Sequence, residues 1–146
     1  MRCLTILCLL ETLILVHHTH SAPPKTETLA LWNLGKVAEC ELHYSPVVYL
    51  GYGCWCGFGH EHKPVDEIDS CCMNHHKCYE AAVTNKTCYN AAWELIDNYK
   101  WECTNGTAVC SEHNNHCQSA LCACDVEVGQ CLSKYPKPQQ RKKCIS

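Results

Sequence analysis

Apolar positions recur at helical spacing in three stretches of this chain. The first runs from residue 29 to residue 40, where the apolar side chains that share one face are Leu31, Leu34, Val37 and Ala38. Residues three and four positions apart lie on the same side of an α-helix, so this spacing predicts a short amphipathic helix. We expect its apolar face to pack into the core.

A longer helix is predicted from Val65 to Val83, a segment without glycine or proline that directly follows Pro64. Its first turn is acidic, which suits the positive end of a helix dipole. Residues four apart share a face, and one such row consists of Cys71, His75 and Tyr79. His75 therefore faces the same side as Cys71 and whatever Cys71 is bonded to.

The third helical pattern covers Glu112 to Cys131, and its apolar row is Cys117, Leu121, Cys124 and Val128. Asp125 directly follows Cys124. A disulfide requires Cα atoms within about 7 Å of each other. Two helices that carry several cysteines each can form many such bonds only if they lie side by side, so we expect a cross-linked antiparallel helix pair.

Glycine is concentrated between Tyr49 and Gly59, with four glycines in the last nine residues of this segment. Glycine permits tight turns in which carbonyl groups point toward one centre. We therefore expect a loop here, which we call the glycine-rich loop. Further along, residues 93 to 101 fit either the end of a helix or a short strand, and the pattern leaves both open.

Cysteine accounts for 16 of the 146 residues, a density typical of small disulfide-rich secreted domains. Residues 1–22 begin with Arg2, continue as an apolar run that Glu11 interrupts and end in small residues, which predicts a secretory signal peptide. The run is too short to span a membrane, which takes about 20 apolar residues. We therefore expect secretion, with a single domain at residues 23–146.

Removal of residues 1–22 leaves 14 cysteines, the total of 16 minus Cys3 and Cys8. This even number fits seven disulfides formed in an oxidising compartment. Acceptor sequences for N-glycosylation begin at Asn85 and Asn105. The formal net charge of −3 argues against a nucleic-acid partner, which normally selects a basic domain.

Three motifs follow one another: Tyr52-Gly-Cys-Trp-Cys-Gly-Phe-Gly59, Pro64-Val-Asp66 and Cys71-Cys-Met-Asn-His-His-Lys-Cys-Tyr79. They resemble the secreted phospholipase A2 family, and the resemblance extends from Ala30 to Cys144. It implies a mainly α, small, disulfide-rich fold with two long antiparallel cross-linked helices, a short N-terminal helix and a glycine-rich, calcium-type loop. The disulfide pairs that it implies are Cys40–Cys103, Cys54–Cys144, Cys56–Cys72, Cys71–Cys131, Cys78–Cys124, Cys88–Cys117 and Cys110–Cys122.

The resemblance also implies an activity, hydrolysis of the sn-2 ester of glycerophospholipids by a helix-borne histidine that acts through water, together with one calcium ion. His75 matches this general base. An imidazole can take a proton from water at neutral pH if a neighbour holds its tautomer and stabilises the cation, and Asp125 matches that neighbour. Tyr79 and Tyr99 match phenols that donate to the carboxylate, since an unpaired buried charge is costly.

The calcium half of the site departs from the family pattern. The implied ligands are the backbone carbonyls of Trp55, Gly57 and Gly59 and an aspartate directly after the base, and that position is His76 here. Calcium binds 6 to 8 oxygen ligands, and an imidazole supplies neither an oxygen nor a negative charge. We therefore expect an impaired calcium site and weak hydrolysis.

Two alternatives remain open at this stage. Imidazoles suit zinc better than calcium, so one alternative is a zinc site built from His60, His62, His75 and His76. The other is a non-catalytic homologue that binds a phospholipid, a membrane surface or a protein receptor. Aromatic and apolar residues expected around its slot are Leu31, Trp32, Trp55 and Phe58, and basic residues near the carboxyl terminus are Lys134, Lys137, Arg141, Lys142 and Lys143.

Overall fold

The computed structural model describes residues 29–58, 62–89 and 98–145. The predicted signal peptide and residues 93–97 lie outside these ranges. The main elements are helix α1 (Leu29–Leu42), helix α2 (Glu67–Thr84), strands β1 (Trp101–Thr104) and β2 (Thr107–Cys110), and helix α3 (His116–Leu132). A short 3-10 helix, Pro46–Tyr49, precedes the glycine-rich loop. Three helices were predicted near these positions, and the mainly helical prediction is confirmed.

Side-chain caps decide where the two long helices begin. The Asp66 carboxylate accepts a hydrogen bond from the Asp69 amide at the start of α2. At the start of α3, Asn115 and Gln118 form a reciprocal capping box, which satisfies two amide groups that have no partner inside the helix. Helix α3 therefore begins four residues later than the apolar pattern predicted.

Helices α2 and α3 are antiparallel and cross-linked, as predicted. Cys71 near the start of α2 is bonded to Cys131 near the end of α3. Cys78, which comes later in α2, is bonded to Cys124, which comes earlier in α3, so the two helices run in opposite directions. Helix α1 packs against α3. Gly129 permits this approach, because a Cβ at that position would lie 2.9 Å from the Cγ atom of Glu41.

The core consists of two groups of buried side chains. One group lies between α2, the 3-10 helix and the end of α3, and its larger members are Leu42, Tyr49, Tyr52, Ile68 and Leu132. The other lies between α1, the hairpin and the middle of α3, and includes Val37, Tyr99 and Leu121. Among the residues of these ranges, no helix is both long enough and apolar enough to cross a membrane.

The antiparallel hairpin of β1 and β2 was not predicted as such. Its turn is Asn105-Gly106, and both residues have positive φ, 52° and 79°. Asn-Gly favours the two-residue hairpin turn that needs positive φ at both positions. This dipeptide was a sequence signal for the hairpin, whereas we considered it only as part of a glycosylation acceptor.

The described ranges contain seven disulfides, and they join the pairs that the family resemblance implied. Two of them position the glycine-rich loop. Cys56 in the loop is bonded to Cys72 of α2, and Cys54 is bonded to Cys144 near the carboxyl terminus. The loop is therefore held between helix α2 and the C-terminal segment.

Candidate active site

His75 of α2 and Asp125 of α3 meet across the helix pair. The Nε2 atom of His75 lies 2.7 Å from Oδ1 of Asp125, and the side chain of Asp125 is fully buried. Cys71–Cys131 and Cys78–Cys124 lie on either side of this pair along the helices. The cross-links therefore fix the helix register that brings the imidazole to the carboxylate, and we call these two residues the dyad.

Two phenols complete the surroundings of the buried carboxylate. Tyr79 donates to Oδ1 of Asp125 over 2.8 Å, and Tyr99 donates to Oδ2. Burial and the negative charge of Asp125 raise the pKa of Tyr99 far above its ordinary value. Tyr99 therefore stays protonated and remains a donor to the carboxylate.

Asn33 is a site residue that the sequence reasoning missed. This buried side chain of α1 donates to the backbone carbonyl of Tyr99 over 3.0 Å and to the Oδ1 atom of Asn98 over 2.7 Å. It thereby ties α1 to the segment that presents the Tyr99 phenol. The available signal was a polar residue among the apolar positions of the first helical pattern.

The second ring nitrogen of His75, Nδ1, does not face the carboxylate. Because Nε2 faces a carboxylate, the hydrogen bond favours the tautomer that is protonated at Nε2, which leaves Nδ1 with its lone pair. Within the ranges that the structure describes, Nδ1 makes no hydrogen bond. The ring packs against Tyr79 with centroids 4.5 Å apart. It also borders a cavity of about 250 Å³ that Asn74 and Glu127 line.

Asp69 organises the glycine-rich loop, a role that the sequence reasoning did not assign to it. This fully buried carboxylate accepts hydrogen bonds from the backbone amides of Cys54, Trp55 and Val65, at 2.8, 2.8 and 2.9 Å. Gly53 allows the close approach, since a Cβ there would lie 2.2 Å from Cγ of Asp69. The loop backbone is therefore wrapped around the first turn of α2.

His76 occupies the side of the site where the resemblance implied calcium. Its Nε2 atom lies 3.0 Å from the carbonyl oxygen of Trp55, and because a carbonyl only accepts, Nε2 carries the proton. The amide of Gly57 donates to the same oxygen over 3.0 Å. A carbonyl oxygen has two lone pairs, so both acceptor positions of this implied ligand are already used.

These groups do not fit a calcium ion. The described part of the implied ligand set lacks a carboxylate, and the Trp55 carbonyl faces an N–H donor. Gly59, the third implied ligand, lies outside the described residues, as does His60. The rings of His75 and His76 have centroids 6.3 Å apart, yet the described ranges hold no group of three His, Cys, Asp or Glu that could bind a metal. A zinc site that includes His60 therefore stays a prediction.

The residues predicted to face a lipid surface are partly exposed. Trp32 is 60% exposed and Phe58 84% exposed, whereas Trp55 is half-buried and donates from Nε1 to the carbonyl of His62. The side chain of Leu31 is not among those that the structure describes. Asn85 and Asn105 are both exposed.

Three of the C-terminal cations contact the rest of the domain. Arg141 donates to the carbonyls of Val47 and Val48, and Lys137 lies over the ring of Tyr44. Lys142 pairs with Asp66 at 2.8 Å. Burial opposes the ionisation of Asp66, but its hydrogen bonds from Lys142 and Tyr52 prevail and lower its pKa.

Comparison with known proteins agrees with this architecture. The sequence profile described as Phospholipase A2 matches residues 31–144. A phospholipase A2 of Bos taurus is 35% identical over 120 residues, which are 77% of this chain and 80% of the relative. A phospholipase A2 of Calliactis polypus is 35% identical over 137 residues, 91% of this chain and 80% of the relative.

A third relative is described as a homologue. It is the acidic phospholipase A2 homolog textilotoxin D chain of Pseudonaja textilis, 35% identical over 112 residues, 75% of this chain and 74% of the relative. The profile match at residues 31–144 includes most of α1, the whole of α2 and α3, the glycine-rich loop and most of the C-terminal segment. The chain therefore belongs to the phospholipase A2 family, as the motifs predicted.

Proposed function

We propose that this protein is a slow sn-2 ester hydrolase of glycerophospholipids that works without calcium. The observation that carries the proposal is the complete dyad, in which His75 is held at 2.7 Å from a buried Asp125 that two phenols support. A buried carboxylate without a partner is costly. This arrangement satisfies the charge and gives Nδ1 of His75 no hydrogen-bond partner among the described residues, which suits general-base chemistry.

The proposed reaction balances without a further reagent. Nδ1 of His75 takes a proton from a water molecule as the water oxygen bonds to the sn-2 carbonyl carbon. The resulting imidazolium is stabilised by Asp125 through Nε2–H. Collapse of the tetrahedral intermediate breaks the bond to the glycerol oxygen, which receives the proton from His75, and yields a fatty acid and a lysophospholipid.

The rate should be low because the described residues offer little to stabilise the negative charge that develops on the carbonyl oxygen. Removal of one oxyanion-stabilising group costs about 100- to 1,000-fold in an acyl-transfer enzyme. Here the N–H groups of His76 and Gly57 already donate to Trp55. The dyad alone therefore supports slow turnover.

The test is fatty-acid release from mixed phospholipid vesicles by the full secreted chain, with calcium or with chelator. We expect slow hydrolysis at equal rates in both, which His75→Gln abolishes and His113→Gln, an exposed control, leaves unchanged. A large stimulation by calcium would contradict the proposal, as would equal rates for the wild type and His75→Gln.

A non-catalytic membrane-binding function is the second candidate, and an exposed surface favours it. Phe58 is 84% exposed and Ile145 82% exposed, and the Cys54–Cys144 disulfide joins the segments that carry them. Arg141 and Lys143 belong to the same C-terminal segment. Apolar side chains beside cations suit an anionic lipid surface.

Co-sedimentation with vesicles separates the two candidates. If Phe58→Ser weakens binding to anionic vesicles several-fold, Tyr89→Ser does not, and the wild type releases no fatty acid above background, the binding function is supported and the hydrolase is contradicted. Tyr89 is a matched control because it is 88% exposed.

We also propose that the chain is secreted after removal of residues 1–22 and glycosylated at Asn85 and Asn105. The signal-like sequence and the disulfide density support this proposal. Expression in a eukaryotic secretory host should give medium-borne protein whose first residue lies close to Pro23. Its mass should fall on deglycosylation. Retention of residues 1–22 would contradict the proposed signal peptide, and an unchanged mass would contradict the proposed glycosylation.

A further inference from the structure

We propose that His76 is a positioning residue that holds the glycine-rich loop on helix α2 in place of a metal ion. The loop would then keep its shape whether or not calcium is present. This inference concerns the structure of the loop and does not depend on whether the protein hydrolyses phospholipids.

The first support is the direction of the hydrogen bond between His76 and the loop. The N–H group at Nε2 donates to the carbonyl of Trp55 over 3.0 Å. The two rings also meet edge to face, with centroids 5.9 Å apart. His76 is half-buried, so water competes less for this hydrogen bond than at an exposed position.

The second support is the position of His76 on α2. Side chains of this helix hold the described part of the loop at three positions: Asp69 accepts from loop amides, Cys72 is bonded to Cys56, and His76 donates to Trp55. Their spacing of three and then four residues places them on one face of the helix. Successive turns of α2 thus hold the loop, and His76 is the attachment farthest from the start of the helix.

The third support is the chemistry of the replaced group. A carboxylate at position 76 would face the carbonyl oxygen of Trp55, and two oxygen acceptors repel each other unless a cation lies between them. The imidazole N–H needs no cation, since it bonds the carbonyl directly. The substitution of His for Asp at this position therefore exchanges a metal-dependent contact for a metal-independent one.

Hydrogen exchange of the loop amides tests the proposal, with calcium and with chelator. The wild type should show the same protection of residues 51–57 in both. His76→Leu, which cannot donate, should exchange about five-fold faster, as expected for the loss of one hydrogen bond of ~1 kcal/mol. His76→Gln places an N–H donor at a similar distance and should restore protection. His113→Leu is the matched control at an exposed histidine and should match the wild type.

His76→Asp supplies the decisive comparison. Its loop should exchange faster than that of the wild type in chelator and regain protection in calcium. The proposal is overturned if calcium protects the wild-type loop, or if His76→Leu exchanges like the wild type, or if His76→Gln is as unprotected as His76→Leu. Should His76→Leu fail to fold, the wild type and His76→Gln still decide the question, because both retain a donor and must be insensitive to calcium.

Discussion

Among single residues of the site, Asp125 most needs hydrogen-bond partners, because its charge is buried. The carboxylate is fully buried and is surrounded by an imidazole and two phenols. Each of these groups replaces a hydrogen bond that water would otherwise provide. The environment of Asp125 therefore depends on Tyr79 and Tyr99 as well as on His75.

Removal of one phenol should cost stability. We expect Tyr99→Phe to lower the free energy of unfolding by about 1–3 kcal/mol, the cost of leaving a buried acceptor without its partner. Urea denaturation measures the change. Tyr89→Phe removes a hydroxyl from an 88% exposed side chain and should change the free energy by less than ~0.5 kcal/mol. Equal effects of the two substitutions would count against a role for Tyr99 in supporting the carboxylate.

We expect the residue at position 76 to determine whether the protein responds to calcium. His76→Asp returns a negative charge and two hard oxygens, so we expect it to bind calcium and to hydrolyse phospholipid at least ~100-fold faster in calcium than the wild type does. Calorimetry and fatty-acid release measure the two effects. His113→Asp, at an exposed position, should change neither.

The two readouts of His76→Asp separate two defects. If the variant binds calcium while its hydrolysis stays at background, the limitation lies in the dyad or in lipid binding. If it binds no calcium, the loop carbonyls are not arranged for the metal.

Among the secondary-structure elements, helix α2 contacts two different neighbours, helix α3 and the glycine-rich loop. One face carries Cys71, His75 and Cys78 toward α3, and the adjoining face carries Asp69 and His76 toward the glycine-rich loop. An amphipathic pattern shows that a helix has a buried face, but here two faces are occupied by different neighbours. This explains why the consecutive histidines His75 and His76 bond to different elements, Asp125 of α3 and the Trp55 carbonyl of the loop.

The Asn115 cap at the start of α3 should contribute to the stability of the domain. Asn115→Ala removes the side chain that caps the helix and should lower the free energy of unfolding by about 1 kcal/mol. Chemical denaturation is the measurement. Ser119→Ala is the control, since this exposed side chain makes no capping contact. A loss as large for Ser119→Ala would show that the capping box does not account for the effect.

In the molecule as a whole, disulfides supply stability that larger domains obtain from a bigger apolar core. The large, fully buried aliphatic side chains of the described ranges are few, with Leu121 and Val37 the largest. A disulfide typically stabilises a domain by about 2–4 kcal/mol. The seven in the described ranges include at least one cysteine from each of the three α-helices and both strands, and the longest separation, 90 residues, ties the C-terminal segment to the glycine-rich loop.

Reduction should therefore unfold the domain. We expect loss of cooperative unfolding and of most helical circular dichroism in strong reductant at neutral pH. The oxidised protein in the same buffer with inactive, oxidised dithiothreitol is the control. A reduced protein that still unfolds cooperatively would show that the apolar clusters suffice without the cross-links.

Local signals in the sequence determined the three helices and the disulfide-rich class. Helical periodicity, Pro64 and an even number of mature cysteines depend only on neighbouring residues and on composition. The family resemblance supplied the cysteine pairs and the residues of the dyad, which composition and spacing left open. The Asn-Gly hairpin was also encoded locally, but we gave that dipeptide another meaning.

Only the tertiary structure decided the contacts between residues distant in the chain. Asn33 and Tyr99 are 66 positions apart, and their contact depends on how α1 packs. Asp69 was visible only as an acidic residue at a helix start, because its loop partners are amides, which every residue except proline has and which carry no sequence signature. The sequence showed that His76 had replaced a carboxylate. That its imidazole bonds the Trp55 carbonyl follows from the distance between helix and loop, which only packing and the cross-links set.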